Sequence, residues 1–317
     1  MDEFEIIRAY FDRAHPDQSV RIGVGDDGAV LTPEPGRDLI SVVDTLVSSI
    51  HFPAGLPPAD VGYRAVVVNL SDIAAMAGRP RWMTLALTLR EADAAWLQSF
   101  SHGLYEAADE YQVSLVGGDV TRGVETVISI QVTGDVVADR ITTRSGAAAG
   151  DLVFVTGTPG DAAAGLSILE SGTTRSAATD YLIARFSRPR ARVAFASAAA
   201  SFVTAAIDVS DGLYSDLSKL LDASGVGGSI EVLDLPLSPE LARLMSQEDA
   251  QRFALGGGDD YELCFTAAPE NEERLVRLGD EHDVRVTRIG TVGDSMQLEA
   301  TRDGGEYTFS DRGYRHF

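Results

Sequence analysis

Hydrophobic and polar positions follow two periods along this chain, and together they predict both helices and strands. Apolar residues spaced three or four apart, such as Leu213, Leu217 and Leu220, predict amphipathic helices. Alternating or short apolar runs, such as residues 125–137, predict strands. The elements do not alternate regularly as strand, helix, strand, so the pattern indicates an α+β fold.

The predicted elements fall into two series. The first has a short N-terminal helix, strands at residues 20–24, 29–33, 39–47, 81–89, 113–116 and 125–137, and helices at 58–78 and 91–111. Residues 138–150 have the composition of a linker. The second has strands at 152–156, before Asp208, at 229–235, 284–292 and 296–309, and helices near 161–170, 180–186, 191–202, 213–221, 239–245, 249–254 and 270–281. We therefore predict two domains, residues 1–138 and 139–317.

The stretch Ile207-Asp208-Val209-Ser210-Asp211-Gly212-Leu213 organises the second series. An apolar run ends in two aspartates three positions apart, and a helical pattern follows at once. This predicts a strand, a tight turn and a helix, with Ser210 and Asp211 capping the helix N-terminus. A capped helix would explain this stretch taken alone.

Similar acidic stretches recur beside apolar runs or in glycine turns, at residues 25–28, 43–45, 69–72, 117–119 and 258–260. Gathered carboxylates repel one another, so divalent cations are the natural reason to gather them. Mg²⁺ fits best, because it prefers oxygen ligands and there is no Cys/His cluster. Asp72 also shares a predicted helix face with Val61, Ala65 and Val68, where an acid is costly unless it is paired or bound to metal.

The composition narrows the class of protein. The 317 residues are 44% hydrophobic and carry a formal net charge of −22, which argues against binding nucleic acid or anionic membranes. The one cysteine, Cys264, lies in a strand-like apolar run and predicts a buried thiol in a reducing compartment. The N-terminus lacks the pattern of a signal peptide, and no apolar run is long enough to span a bilayer. We expect a cytoplasmic protein.

Several chemistries lack their motifs. Lys219 is the only lysine, so no Walker A loop is present. Residues 23–28 read G-x-G-x-x-G, but two aspartates in the turn and a strand-like continuation argue against a dinucleotide site. The five histidines have no zinc-ligand spacing, and no G-x-S-x-G elbow occurs. A glycosidase stays open, since sequence does not reveal the separation of two carboxylates. Aspartates, glycine turns and a few arginines suit Mg²⁺-assisted phosphoryl transfer best.

The order of these motifs resembles that of the thiamine-monophosphate kinase family, over essentially the whole chain. The matching stretches are Gly25-Asp26-Asp27, Asp44 with His51 beyond it, residues 68–77, Val116-Gly117-Gly118-Asp119, residues 142–146, Thr156-Gly157-Thr158-Pro159-Gly160, residues 207–213 and residues 260–265. The resemblance implies a two-domain fold like that of aminoimidazole-ribonucleotide synthetase, with a homodimer formed through the N-terminal sheets into a barrel and a C-terminal α/β sandwich. It also implies that ATP and thiamine monophosphate give ADP and thiamine diphosphate.

The resemblance further implies roles for individual residues. Metal ligands for several Mg²⁺ ions would be Asp27, Asp44, Asp72, Asp119, Asp208 and Asp211. ATP contacts would come from Gly118, Asp119, Arg144 and Ser210, and thiamine-phosphate contacts from His51, Asp259 and Tyr314. We expect direct in-line transfer without a phospho-enzyme, with Arg144, Asp208 and Asp211 as the catalytic residues and Arg144 stabilising the transferring charge.

The chain departs from the family pattern in two places. Val42 and Val43 stand where hydroxyl residues are usual, so they could bind metal only through backbone carbonyls. Asp259 stands where glutamate is usual and is one methylene shorter. Two other functions remain open: another ATP-dependent synthetase or kinase of the same superfamily, and a non-catalytic acidic protein that binds Ca²⁺ or a partner. The absence of a cysteine-like nucleophile near the N-terminus counts against selenophosphate synthesis.

Overall fold

The computed structural model describes residues 1–13, 17–309 and 313–314, and these form two compact units. The first unit comprises residues 1–73 and 78–139, and the second comprises residues 74–77 and 140–317. Among the residues described, no helix is long and apolar enough to cross a membrane.

The first unit is built on a mixed four-stranded sheet. Its elements are α1 (Glu3–Ile6) continued by a π-helical turn (Ile7–Phe11), β1 (Val20–Ile22), β2 (Val30–Leu31), β3 (Arg37–Val47), α2 (Pro58–Ala75), β4 (Arg79–Leu89), α3 (Ala94–Glu110), β5 (Ser114–Arg122) and β6 (Val127–Val137), then a 3₁₀ turn (Ala138–Arg140). The sheet order is β3–β6–β4–β5, with only β4 and β5 parallel, while β1 and β2 form a separate antiparallel pair. The predicted α+β class with mixed sheets is confirmed.

Helix α2 is the central helix of the first unit. Residues 61–71 are all buried, including the polar side chain of Asn69. The sequence predicted a single apolar stripe, but the helix is covered on every side. Asp72 follows this buried segment and is half-buried, so its carboxylate is held close to the core.

The second unit is built on a seven-stranded sheet. Its elements are β7 (Leu152–Thr156), α4 (Asp161–Ser171), α5 (Ala177–Ser187), α6 (Val193–Ala199), β8 (Ala205–Val209), α7 (Leu213–Ser224), β9 (Gly227–Glu231), α8 (Pro239–Leu244), α9 (Gln247–Gly256), β10 (Glu262–Ala267), α10 (Glu272–Glu281), β11 (Val286–Gly293), β12 (Leu298–Arg302) and β13 (Gly305–Glu306). The order is β13–β12–β9–β11–β7–β10–β8, and only β9 and β12 are parallel.

Both faces of this sheet are buried, because alternate residues of its inner strands point to opposite sides. Ile207, Val209 and Cys264 pack with the leucines of α7 on one face. Phe154 and Phe265 stack on the other face, against α6 and α10. By the same alternation, Asp208 shares the second face, at the end of β8.

Two elements of the second unit illustrate where the observed structure differs from the predicted one. The strand expected at residues 229–235 ends at Glu231 and gives way to a 3₁₀ turn (Val232–Asp234). The Glu231 carboxylate accepts the amide of Leu233 and thereby starts that turn. The helix expected at residues 191–202 is only Val193–Ala199. An apolar pattern does not register a local side-chain cap such as that of Glu231, which explains the first of these differences.

A buried ionic network crosses the core of the second unit. The Glu262 carboxylate is fully buried and accepts hydrogen bonds from Arg185, Arg192 and Thr156. Burial opposes its ionisation, but the guanidinium groups of Arg192 and Arg185 lower the pKa of Glu262 to about 2. This network fixes β10 immediately after the acidic loop at residues 258–260.

We expect Glu262→Gln to destabilise the protein by about 3–5 kcal/mol at neutral pH, because two mostly buried guanidiniums lose the counter-charge of Glu262. The free pKa of glutamate is 4.5 and the folded value is about 2, so the ionic contribution is full above pH 4.5. It is lost as the pH falls towards 2. Urea unfolding measured from pH 7 down to pH 3 should show that the difference in unfolding free energy between the variant and the wild type becomes smaller. Glu270→Gln, at an exposed site, is the matched control. A difference independent of pH would contradict this account.

Candidate active site

A cavity of about 410 Å³ lies in the first unit. Its walls come from the N-terminal helix, from the loop at residues 23–29 and from β5. Three residues predicted from the sequence line it together: Asp27, Gly118 and Asp119. Phe4, Ile7 and Phe11 supply an apolar side. The cavity therefore combines an apolar wall with exposed carboxylates, a lining that suits a small ligand with a flat apolar part and a charged part.

The loop between β1 and β2 contributes the acidic rim. The amide of Asp27 donates to the side chain of Asp26 at 2.9 Å, so this amide is already occupied. Strand β2, not a helix, follows the loop. The G-x-G-x-x-G pattern thus lacks the helix N-terminus on which a dinucleotide fingerprint depends.

The segment Gly117-Gly118-Asp119 lies inside β5, where the sequence predicted the end of a strand and a turn. Gly118 pairs with Leu85 of the parallel strand β4. A Cβ atom at Gly118 would lie 1.9 Å from the Leu85 carbonyl oxygen, whereas one at Gly117 would meet open space. Gly118 is therefore required by the close approach of two strands, whatever ligand the cavity takes.

Gly118→Ala should lower the free energy of unfolding by about 1–3 kcal/mol, since the added methyl forces β5 away from β4. Gly117→Ala, one residue away on the same strand, is the control and should change stability little. Urea unfolding midpoints of the two variants provide the measurement. Equal midpoints would show that the strands can separate at no cost.

Strand β3 and helix α2 bring further predicted residues together. The Asp44 amide donates to the Asn69 side chain at 2.9 Å, and Asp72 follows Asn69 by three residues on the same helix face. The Asp44 amide points away from β6, and backbone groups alternate in direction along a strand. The Val42 carbonyl therefore points to the same free edge, whereas that of Val43 faces β6.

His51 lies just beyond β3, with its orientation fixed. Its Nδ1 atom accepts the Val47 amide at 3.0 Å. In the neutral ring the proton therefore resides on Nε2, which makes that atom the hydrogen-bond donor. A neutral donor on a half-buried imidazole is suited to an anionic oxygen.

In the second unit the turn after β8 is held by a residue that the sequence did not single out. The Asp216 Oδ2 atom accepts the amides of Ser210, Asp211 and Gly212 at 3.0, 3.0 and 3.2 Å. The predicted capping by the Ser210 and Asp211 side chains is wrong, because Gly212 is the N-cap and no side-chain cap bond is formed from it. A carboxylate one turn into the helix has taken the free amides.

The same turn gathers most of the residues predicted in the second unit. Asp208 is 4% exposed at the end of β8. The Asp259 amide donates to the Ser210 carbonyl at 2.8 Å, and the Tyr314 amide donates to the Asp211 carbonyl at 3.0 Å. Asp208, Ser210, Asp211, Asp259 and Tyr314 therefore surround a single turn.

The loop that presents Asp259 has an unusual backbone. Asp259 and Tyr261 have φ angles of 69° and 52°, in the left-handed region that favours glycine. Between them, the fully buried Asp260 accepts the amides of Gly160 and Ala162 at the start of α4. This anchor explains how two non-glycine residues are kept in that conformation.

Arg144 lies away from the turn that carries Asp211. Its carbonyl accepts the hydroxyl of Ser224, the last residue of α7, whereas Asp211 precedes the first residue of that helix. Twelve residues of α-helix span about 18 Å. The structure thus does not bring the exposed Arg144 next to Asp211.

The donors at these places are almost all oxygen atoms of carboxylates and carbonyls, which suit Mg²⁺. Among the residues described, however, no group of three or more His, Cys, Asp or Glu side chains is arranged to hold a metal ion. Mg²⁺ typically takes one or two carboxylates and completes its shell with waters and substrate phosphates. The donor set fits such a site.

Two residues were missed by sequence reasoning. Asp216 and Lys219 are three apart on α7, and the Lys219 ammonium contacts both Asp211 and Asp216, at 2.5 and 2.7 Å. The Asp/Lys spacing of i and i+3 was the available signal.

Comparison with known proteins agrees with this geometry. The profile of AIR synthase related protein, N-terminal domain, matches residues 25–136, and that of the C-terminal domain matches residues 148–303. Thiamine-monophosphate kinase of Escherichia coli strain K12 is 45% identical over 99% of this chain and 98% of its own length. The chain belongs to the thiamine-monophosphate kinase family.

Solved structures support the same assignment. Thiamine-monophosphate kinase from Stenotrophomonas maltophilia K279a superposes with a TM-score of 0.87 at 38% identity, covering 92% of this chain and 93% of its own. AaThiL complexed with AMPPCP and TMP superposes with a TM-score of 0.81 at 31% identity, covering 90% and 89%. A thiamine-monophosphate kinase fold has thus been observed with an ATP analogue and TMP bound.

Proposed function

We propose that this protein transfers the γ-phosphoryl group of ATP to thiamine monophosphate, giving ADP and thiamine diphosphate. Family membership supports the reaction, and the gathering of Asp208, Ser210, Asp211, Asp259 and Tyr314 around one turn is the observation that supports it most directly. This is the arrangement expected where an acceptor phosphate meets metal-binding acids.

We assign the cavity of the first unit to ATP. Its apolar wall suits the flat base, and Asp27 and Asp119 stand where phosphates would need cations to approach. Asp44, Asp72 and the Val42 carbonyl extend the set of metal ligands, while Val43 is assigned no metal contact because its carbonyl faces β6. In the second unit, Asp208 and Asp211 are assigned the same role.

Bound Mg²⁺ would neutralise phosphate charge and polarise the phosphoryl oxygens. The protein's own residues then supply position and selectivity. The His51 Nε2 proton is the donor we assign to the phosphate of thiamine monophosphate. Asp259 and Tyr314 are assigned to the rest of that substrate, through a loop whose backbone is tied to Ser210 and Asp211.

The transfer is proposed to be direct, because the acceptor is already an ionised phosphate oxygen and needs no strong base. Arg144 is assigned a contact with ATP. A role at the transferring phosphoryl group together with Asp211 is disfavoured within this unit, since the two residues lie at opposite ends of α7.

Asp208→Asn tests the reaction and the site together. We expect the wild type to form ADP and thiamine diphosphate in equal amounts from Mg-ATP and thiamine monophosphate. The variant should lose at least about a hundredfold in kcat, the scale of removing one strong electrostatic stabiliser. Asp222→Asn, at an exposed position on α7, is the matched control and should retain activity.

Each result has a defined meaning. A phosphorylated side chain trapped during turnover would contradict direct transfer. A wild type that binds Mg-ATP yet forms no thiamine diphosphate would contradict the assigned acceptor, and the search would move to another small phosphate acceptor.

We also propose that two copies associate through the outward face of the first unit's sheet. Leu39 and Val43 lie on this face of the edge strand β3 and are 51% and 64% exposed, which is unusual for large apolar side chains on a sheet. The family resemblance supplies the partner, a second copy of the chain.

Leu39→Glu should convert the dimer into a monomer, because it places a charge in the proposed contact. Val124→Glu, at an exposed apolar residue between β5 and β6, should leave the dimer intact. Size-exclusion chromatography with light scattering distinguishes the two states. A monomeric wild type, or a dimeric Leu39→Glu protein, would refute this interface.

A further inference from the structure

Lys219 occupies a singular position in this chain. It is the only lysine among 317 residues, and its ammonium contacts Asp211 Oδ2 at 2.5 Å and Asp216 Oδ1 at 2.7 Å. The side chain therefore places its ammonium group directly against a residue assigned to metal binding.

The two carboxylate partners of Lys219 differ in how firmly they are held, and Asp216 is the firmly held one. Its other oxygen, Oδ2, is committed to the three turn amides, and its carboxylate is buried. Asp211 is 37% exposed and can exchange partners, whereas Asp216 cannot leave. Lys219 can thus give up Asp211 and still keep one ion pair.

A divalent cation and an ammonium group cannot both bind the same carboxylate oxygen at full strength. Each offers positive charge to the same lone pairs, and each repels the other across a few ångströms. The Lys219 ammonium lies at hydrogen-bond distance from Oδ2, one of the two carboxylate oxygens that Asp211 could offer to a metal ion.

We propose that Lys219 competes with the divalent cation for Asp211 and so lowers the cation affinity of this part of the site. Asp216 serves as the resting partner of the ammonium when the cation takes Asp211. The inference rests on the proposed role of Asp211 as a metal ligand. It assigns Lys219 a positioning function: the residue determines how tightly the cation is held and how readily it is released.

The expected change in cation affinity is an increase, whereas structural damage to the turn would decrease the affinity. Replacing Lys219 by methionine removes the charge but keeps the length of the side chain, so Asp211 is released for metal. Cation binding should become tighter, whereas a loosened turn would bind more weakly. Lys219→Arg retains the charge and should resemble the wild type.

Binding of Mn²⁺ alone, followed by the electron paramagnetic resonance signal of free Mn²⁺, tests this without turnover. The site in question is the one that Asp211→Asn removes. At that site, Lys219→Met should lower the Kd by about threefold or more, the scale of a partly exposed ion pair. Lys219→Arg should stay within about twofold of wild type. In the Asp211→Asn background, Lys219→Met should have no further effect on Mn²⁺ binding, as expected if both residues act through one contact.

An unchanged or higher Kd in a folded Lys219→Met protein would overturn the inference. Lys219→Gln, judged by the same criterion, replaces the methionine variant if that one does not fold. If Asp211→Asn abolishes no Mn²⁺ site, either in the wild type or in the Lys219 variants, the inference and the metal-ligand role of Asp211 both fail. If wild type shows the expected Mn²⁺ behaviour but forms no thiamine diphosphate, only the proposed reaction fails.

Discussion

Repulsion between carboxylates is the constraint on which the rest of this structure depends. A chain with 22 excess negative charges must provide each buried acid with a partner. In the second unit, Glu262 has two arginines, Asp260 has the amides at the start of α4, and Asp216 has three turn amides and a lysine. In the first unit, Asp135 on β6 receives Arg37, Arg79 and Arg81. Asp27 and Asp119 are arranged differently, because they line an open cavity.

The turn before α7 shows the same constraint at the N-terminus of a helix. Three consecutive amides at a helix N-terminus form the kind of nest that binds phosphate in many nucleotide enzymes. Here the Asp216 carboxylate already fills that nest, so phosphate cannot bind there through backbone amides. Under the proposed function, the acids around the turn bind cations, and a phosphate approaches together with those cations.

Sequence periodicity predicted the helices and strands well where one face is apolar, as in α7 and β6. It failed where single side chains or close backbone contacts determine the local structure. Gly118 read as a turn residue, yet it lies inside β5 because β4 runs too close for any Cβ. The sequence pattern assigned no role to Asp216, although it holds the turn that Ser210 and Asp211 were expected to cap. These contacts join residues through space, and a pattern along the chain does not record them.

The candidate site residues were found by the resemblance of motif order, whereas the contacts of Lys219 and Asp216 emerged only from geometry.

The solitary lysine also has a chemical consequence. The chain has one side-chain amine, and it lies at the acidic turn. Acylating reagents attack only the unprotonated amine, so the carboxylates that hold Lys219 protonated slow its modification. Because the chain has one lysine, a dye or isotopic label that does react with a lysine marks a single known side chain beside Asp211. In most enzymes such a reagent labels many surface lysines, but here the composition itself provides a reporter at the turn before α7.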